Sequence, residues 1–122
     1  MISVQSSKLE CRIHDVLEDA DVAYAEEWTF PDLRTTNGKH LRFDFCVFDD
    51  NGDIDYLIEA QGVQHYKAVK HFGGMRGLYR QQYNDDLKRR YCAQHRIKLI
   101  HIPYWEEDKV TYEYIMRKAG YM

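Results

Sequence analysis

The chain has 122 residues, 44% of them hydrophobic and 30% charged, with a net charge of −3, which suits one domain with a real core and is too little for two. No apolar run approaches the roughly 18 residues of a membrane span, and Met1–Gln5 does not read as a signal peptide, so a cytoplasmic protein is expected. The three cysteines, Cys11, Cys46 and Cys92, lack C-x-x-C spacing and suggest reduced thiols, and Cys92-x-x-His95 lacks the second pair that a structural zinc needs.

Ser7-x-x-Glu10 ahead of an apolar-periodic run is a capping-box pattern and starts a helix near residue 8. Leu9, Ile13, Val16, Leu17 and Ala20 give that helix one buried stripe, and it ends near Asp19. Val22–Phe30 reads as a strand closed off by Pro31, and Asp32–His40 as a polar loop. Two β-type runs follow, Leu41–Phe48 and Ile54–Gln61, on either side of Asp50-Asn51-Gly52-Asp53. Val63–Gly74 reads as a loop carrying His65 and His71. Gly77–Arg96 is helical, in two pieces if Asn84 caps a second start with Asp85 and Asp86 in its first turn. Ile97–Ile102 is a short buried strand stopped by Pro103, and Asp108–Lys118 a final helix ended by Gly120. The order α-β-β-β-α-β-α predicts an α/β (α+β) sandwich: a mixed sheet of about four strands flanked by helices, the last strand joining in parallel through a helical crossover.

Asn-Gly between alternating hydrophobics is the strongest short-range hairpin signal and implies a two-residue type I′ turn. In that register Asp50 faces Asp53, and Asp44 faces Glu59 as a direct cross-strand neighbour. Like charges so placed are destabilising, so a counter-charge is expected. A divalent cation fits, and Mg²⁺ (or Mn²⁺) is the ordinary candidate for a sparse oxygen site. The alternative is a four-residue loop with both side chains in solvent.

Other candidates cluster after Asp44. Gln61 shares a strand face with Glu59 but supplies no charge, and Gly62 allows a ligand to approach closely. His65 lies near the mouth of the same face, and Asp85 and Lys88 project together from a helix. Each has a plainer reading: Gln61 satisfying an edge, His65 on the surface, Asp85 as a helix-dipole acid, Glu10 as a capping-box residue. The charge is also unevenly divided. Residues 1–60 hold 5 basic and 14 acidic side chains, whereas residues 61–105 hold 9 basic and 2 acidic and carry Tyr66, Phe72, Tyr79, Tyr83, Tyr91, Tyr104 and Trp105. Cations interleaved with aromatics suit phosphate contacts plus stacking, with Arg76, Arg80, Arg89 and Arg90 as the candidate DNA contacts.

Arg42-Phe43-Asp44-Phe45 followed by Glu59-Ala60-Gln61 resembles the D…(D/E)-x-K core of the PD-(D/E)XK nuclease superfamily. Ile58–Tyr66, then Asp85-Asp86-Leu87-Lys88 and Tyr91-Cys92, is similar to phage-type endonucleases related to very-short-patch repair enzymes, including homing endonucleases with an E-D-x-H-D active set. The resemblance spans roughly residues 7–104. It implies a restriction-endonuclease-like fold and an active set of Glu10, Asp44, His65 and Asp85, with the variable position near Glu59 or Gln61. One departure is that Gln61 stands where the motif has lysine, so Lys88 would reach in from the helix or His65 would take over proton transfer.

Phosphodiester hydrolysis needs a metal that neutralises phosphate and activates water, plus an acid or base. Asp44 and Glu59 would hold Mg²⁺, His65 would move the proton, Asp85 would orient His65 or bind metal, Glu10 would reach the rim, and Lys88 would stabilise the pentacovalent charge. The expectation is a metal-dependent DNA endonuclease or nickase, phage- or mobile-element-encoded and acting in the bacterial cytoplasm, with specificity from a homodimer, an accessory DNA-binding protein, or the loops at 31–40 and 62–76. The rival is an inactive nucleic-acid-binding protein on the same scaffold, for which Gln61 is the best argument. RNA is a weaker alternative substrate.

Overall fold

The computed structural model describes residues 7–122. Helix α1 (Lys8–Asp19) opens where the capping box puts it: the Glu10 N–H donates to Ser7 Oγ at 3.1 Å. Strands β1 (Tyr24–Arg34), β2 (His40–Phe48) and β3 (Ile54–Gln61) form an antiparallel run, and helix α2 (Gly74–Gln94) crosses over to β4 (Leu99–Pro103), which lies parallel to β3. Helix α3 (Tyr112–Lys118) closes the chain. The sheet order β1-β2-β3-β4 is the predicted four-stranded mixed sheet with helices.

Four expectations need correcting. β1 runs through Pro31 to Arg34, because β1 is an edge strand on which a missing N–H can face outward without breaking a ladder bond. The loop that follows is therefore shorter than residues 32–40. Helix α2 is continuous, with Asn84 in its middle, so Asp85 is no first-turn acid. α2 also starts earlier than expected, where Gly77 packs so tightly that a Cβ would lie 1.8 Å from the Phe72 carbonyl oxygen. The final helix begins only at Tyr112, capped by the Thr111 hydroxyl, after a 3-10 stretch at Tyr104–Lys109.

The hairpin turn also differs from expectation, yet the register does not. Asp49 and Asp53 close the turn; Gly52 takes the left-handed conformation (φ 82°), and Asp49 Oδ1 accepts the N–H groups of Asn51 and Asp53. That three-residue loop, a type I turn with a left-handed glycine, shifts pairing by one, as Phe48↔Ile54 shows. A bulge at Asp55 then restores it: Val47↔Tyr56, Cys46↔Leu57 and Phe45↔Ile58 are the predicted partners.

The sheet separates two cores. On one face Ile13 and Leu17 of α1 and Ile115 of α3 pack with Phe45, Val47, Tyr56, Ile58, Ile100 and Ile102. On the other, α2 contributes Cys92 against Phe43, Cys46 and Leu57. Phe43 and Phe45 fall in different cores although two residues apart, so strand alternation breaks at Asp44; across the ladder Glu27 has a positive φ of 54°.

Candidate active site

The hairpin ladder ends at Phe45↔Ile58, and the next step brings Asp44 opposite Glu59. Their side chains take over from the backbone there. The Asp44 N–H donates to Glu59 Oε1 at 3.2 Å, and Asp44 Oδ2 accepts the Ala60 N–H at 2.7 Å. The counter-charge that this pair requires comes from within the chain. Lys88 Nζ donates to Glu59 Oε2 at 3.1 Å, both side chains less than a tenth exposed. Burial and the Asp44 carboxylate push Glu59 up, with Lys88 opposing. Asp44 is raised by burial, against the pull of the Ala60 N–H, Lys88 and His65.

Immediately after β3, a 3-10 turn (Val63–His65) carries His65 back over α2. His65 Nδ1 donates to Asp85 Oδ2 at 2.9 Å, and Gln81 Nε2 donates to Asp85 Oδ1 at 3.1 Å. This fixes the imidazole by one nitrogen and leaves Nε2 for proton exchange. Burial alone would raise Asp85, but the bond and charge of His65, with Gln81 and Lys88, hold it below the usual carboxylate range. Gln61, at the motif's lysine position, is buried, and its Oε1 accepts from the Tyr66 hydroxyl. Gln61, His65, Tyr66, Asp85 and Arg89 border a cleft of about 210 Å³.

Glu10 caps its own helix and also feels the site. After burial, the Asp44 carboxylate is the next cause raising it above its ordinary value. Capping and proximity to the site are therefore both real for this residue. The candidate DNA contacts differ among themselves: Arg89 and Arg90 are engaged by Asp86 at 3.8 and 2.9 Å, whereas Arg76 and Arg80 are exposed and have no carboxylate partner among the described residues.

Gln81 and Tyr66 were not foreseen as site residues. The i,i+4 spacing of Gln81 to Asp85 is a signal that could have found the first; nothing in sequence pairs Tyr66 with Gln61. Among the described residues, no group of three or more His, Cys, Asp or Glu side chains is gathered closely enough to hold a metal ion. The donors nonetheless suit a sparse site. Among the described residues Asp44 is hydrogen-bonded only through Oδ2, which leaves Oδ1 for a ligand, and Mg²⁺ ordinarily takes one or two carboxylates plus water and phosphate oxygens. Asp44 is better placed for this than Glu59, whose second oxygen Lys88 already occupies.

Neither a protein-family model nor a solved structure matches the chain. Among curated proteins it is similar to Uncharacterized protein 307L of Invertebrate iridescent virus 6, 36% identical over 89 residues, which are 71% of this chain and 45% of that protein. It is also similar to Uncharacterized protein 094L of Frog virus 3 (isolate Goorha), 45% identical over 53 residues, 42% of this chain and 34% of that protein. The chain thus spans less than half the length of these relatives.

Proposed function

We propose that this chain is a metal-dependent DNA endonuclease or nickase of the PD-(D/E)XK type. One observation carries the reading: Asp44 and Glu59 face one another where the hairpin ladder ends, and a lysine from α2 stands on Glu59. The charge missing at Gln61 is thereby restored from another element, which disfavours an inactive scaffold.

Each residue has a task. Asp44 would offer its Oδ1 to Mg²⁺ or Mn²⁺, with Glu59 opposite it across the hairpin and Glu10 near enough to feel its charge. When bound, that ion neutralises phosphate charge and lowers the pKa of water. His65 takes up or delivers the proton at Nε2, while Asp85 and Gln81 hold the ring. Lys88 opposes the burial and Asp44 repulsion that make Glu59 hard to ionise, and adds positive potential where phosphorane charge would develop. The cationic face of α2 and its loops would bind the DNA backbone. The likeness to proteins of two viruses supports a virus-encoded module. No described helix is long and apolar enough to cross a membrane, and we place its work in the host cytoplasm, with a homodimer or accessory DNA-binding protein supplying specificity.

The test is relaxation of supercoiled plasmid with Mg²⁺, Mn²⁺ or EDTA. Conversion to nicked or linear DNA with either metal and not with EDTA is expected. Intact plasmid in every condition, across a panel of sequences and with the purified chain folded, would overturn the reading.

A further inference from the structure

A second concavity draws on the same helix as the candidate active site and is chemically unlike it. The turn between β1 and β2 meets α2 there, enclosing about 500 Å³ bordered by Thr35, Asn37, Lys39, Arg80, Tyr83 and Asn84. No carboxylate among the described residues borders it. Among the described residues neither Lys39 nor Arg80 is in an ion pair. Two unneutralised cations facing one cavity repel each other, so the cavity favours an anion.

The turn is held in shape. The Thr35 N–H donates to the Lys39 carbonyl at 2.8 Å, the Gly38 N–H to the Thr35 carbonyl at 2.9 Å, and the Lys39 N–H to the Thr35 hydroxyl at 3.2 Å. Gly38 sits in the left-handed region, φ 82°, which that tight turn requires. The opposite wall is helical backbone. Tyr83 is 46% exposed, so its ring offers a stacking face. The amides of Asn37 and Asn84 offer both donors and acceptors, which suits base edges or sugar hydroxyls more than an isolated inorganic ion. On α2, Arg80 and Asn84 neighbour Gln81 and Asp85 in sequence and lie about 100° around the helix from them, so the cavity and the His65–Asp85 pair are built on the same stretch of one helix.

We propose that this cavity is a nucleotide subsite. It takes one phosphate-bearing unit of the DNA strand next to the scissile position, with the phosphate between Lys39 and Arg80 and the sugar or base against Tyr83. The subsite rests on the nuclease reading for its ligand, and binding measured apart from cleavage separates the two.

The experiment is fluorescence anisotropy of the whole chain with a labelled duplex DNA, in EDTA to prevent cleavage, as a function of salt. The K39A/R80A double variant should bind about tenfold or more weakly, with the salt slope reduced by about two because two phosphate contacts are lost. Tyr83→Ala should weaken binding with little change in slope, and Arg117→Ala, on α3, should leave both unchanged. Unaltered melting temperatures exclude misfolding as the cause. If K39A/R80A binds as the wild type does while plasmid is still cut with Mg²⁺, the subsite is wrong and the nuclease reading stands. A wild type that neither binds nor cuts DNA removes both.

Discussion

The two faces of the sheet are built on opposite principles. Against α1 and α3 the interior is apolar, with Ile13, Leu17, Ile58, Ile102 and Ile115 excluded from solvent. Against α2 lie all the buried polar residues of the described chain: Glu59, Gln61, Asp85 and Lys88. Helix α2 turns Gln81, Asp85, Lys88 and Cys92 inward, a helical stripe on which polar pairs replace much of the apolar packing. Burying such groups is costly unless they are paired, so this face depends on its internal pairings where the other depends on apolar packing.

The largest effect should come from His65→Ala. Under the nuclease reading, cleavage falls by about 10²–10⁴-fold with little change in fold, since Asp85 keeps Gln81 and the nearby Lys88 charge. The measurement is single-turnover nicking with a parallel melting curve. Should Lys88→Ala be the inactive variant and His65→Ala retain full rate, proton transfer belongs to the helix.

Next is Glu59→Gln, which leaves Lys88 buried without its partner. Urea unfolding above about pH 8, where Glu59 is ionised, should register a loss of about 3–5 kcal/mol, and a Glu59→Gln/Lys88→Met double variant should recover much of it. If the single variant is as stable as the wild type, the pair is not closed in solution, and the contrast between the faces narrows to burial alone.

The smallest effect is in pH. Glu59 and Asp44 are harder to ionise when folded than at their ordinary values of 4.5 and 3.8. Their contribution is therefore fully present below those values and is lost as pH rises through the raised ones. Asp85 is depressed from 3.8, so its contribution is present above that value and lost as pH falls through its folded value. Without metal, the melting temperature should decline from about pH 5 to about pH 8, and Asp44→Asn should flatten the decline. Mg²⁺ should stabilise more at the alkaline end, because a metal ligand must be deprotonated. A melting temperature that rises across that range without metal contradicts the assigned directions.

Much of this was legible in the sequence, for reasons that differ by element. α1 was readable because cap and stripe agree. The facing of Asp44 and Glu59 was readable from Asn51-Gly52, although through the wrong turn: the bulge at Asp55 cancels the extra loop residue, and no alternation pattern announces a bulge. β1 outruns its sequence signal because Pro31 stops an interior strand but not an edge one. α2 is continuous where Asn84-Asp85-Asp86 resembles a cap, because its buried stripe is polar. The Lys88–Glu59 contact spans 29 positions, so spacing could put Lys88 on the same helix side as Asp85 but could not name its partner.

Under the proposed function, the open oxygen of Asp44 makes the α2 face a metal-dependent phosphodiester site. Thermal unfolding of wild type and Asp44→Asn, each titrated with Mg²⁺ and with Mn²⁺ and each assayed for nicking on the same preparation, tests it most directly. Metal at about 100 times its Kd should stabilise the wild type by about 2.7 kcal/mol, while Asp44→Asn should lose both that gain and cleavage. A wild type that gains nothing from either metal, alongside an Asp44→Asn variant that cuts as well, would contradict it.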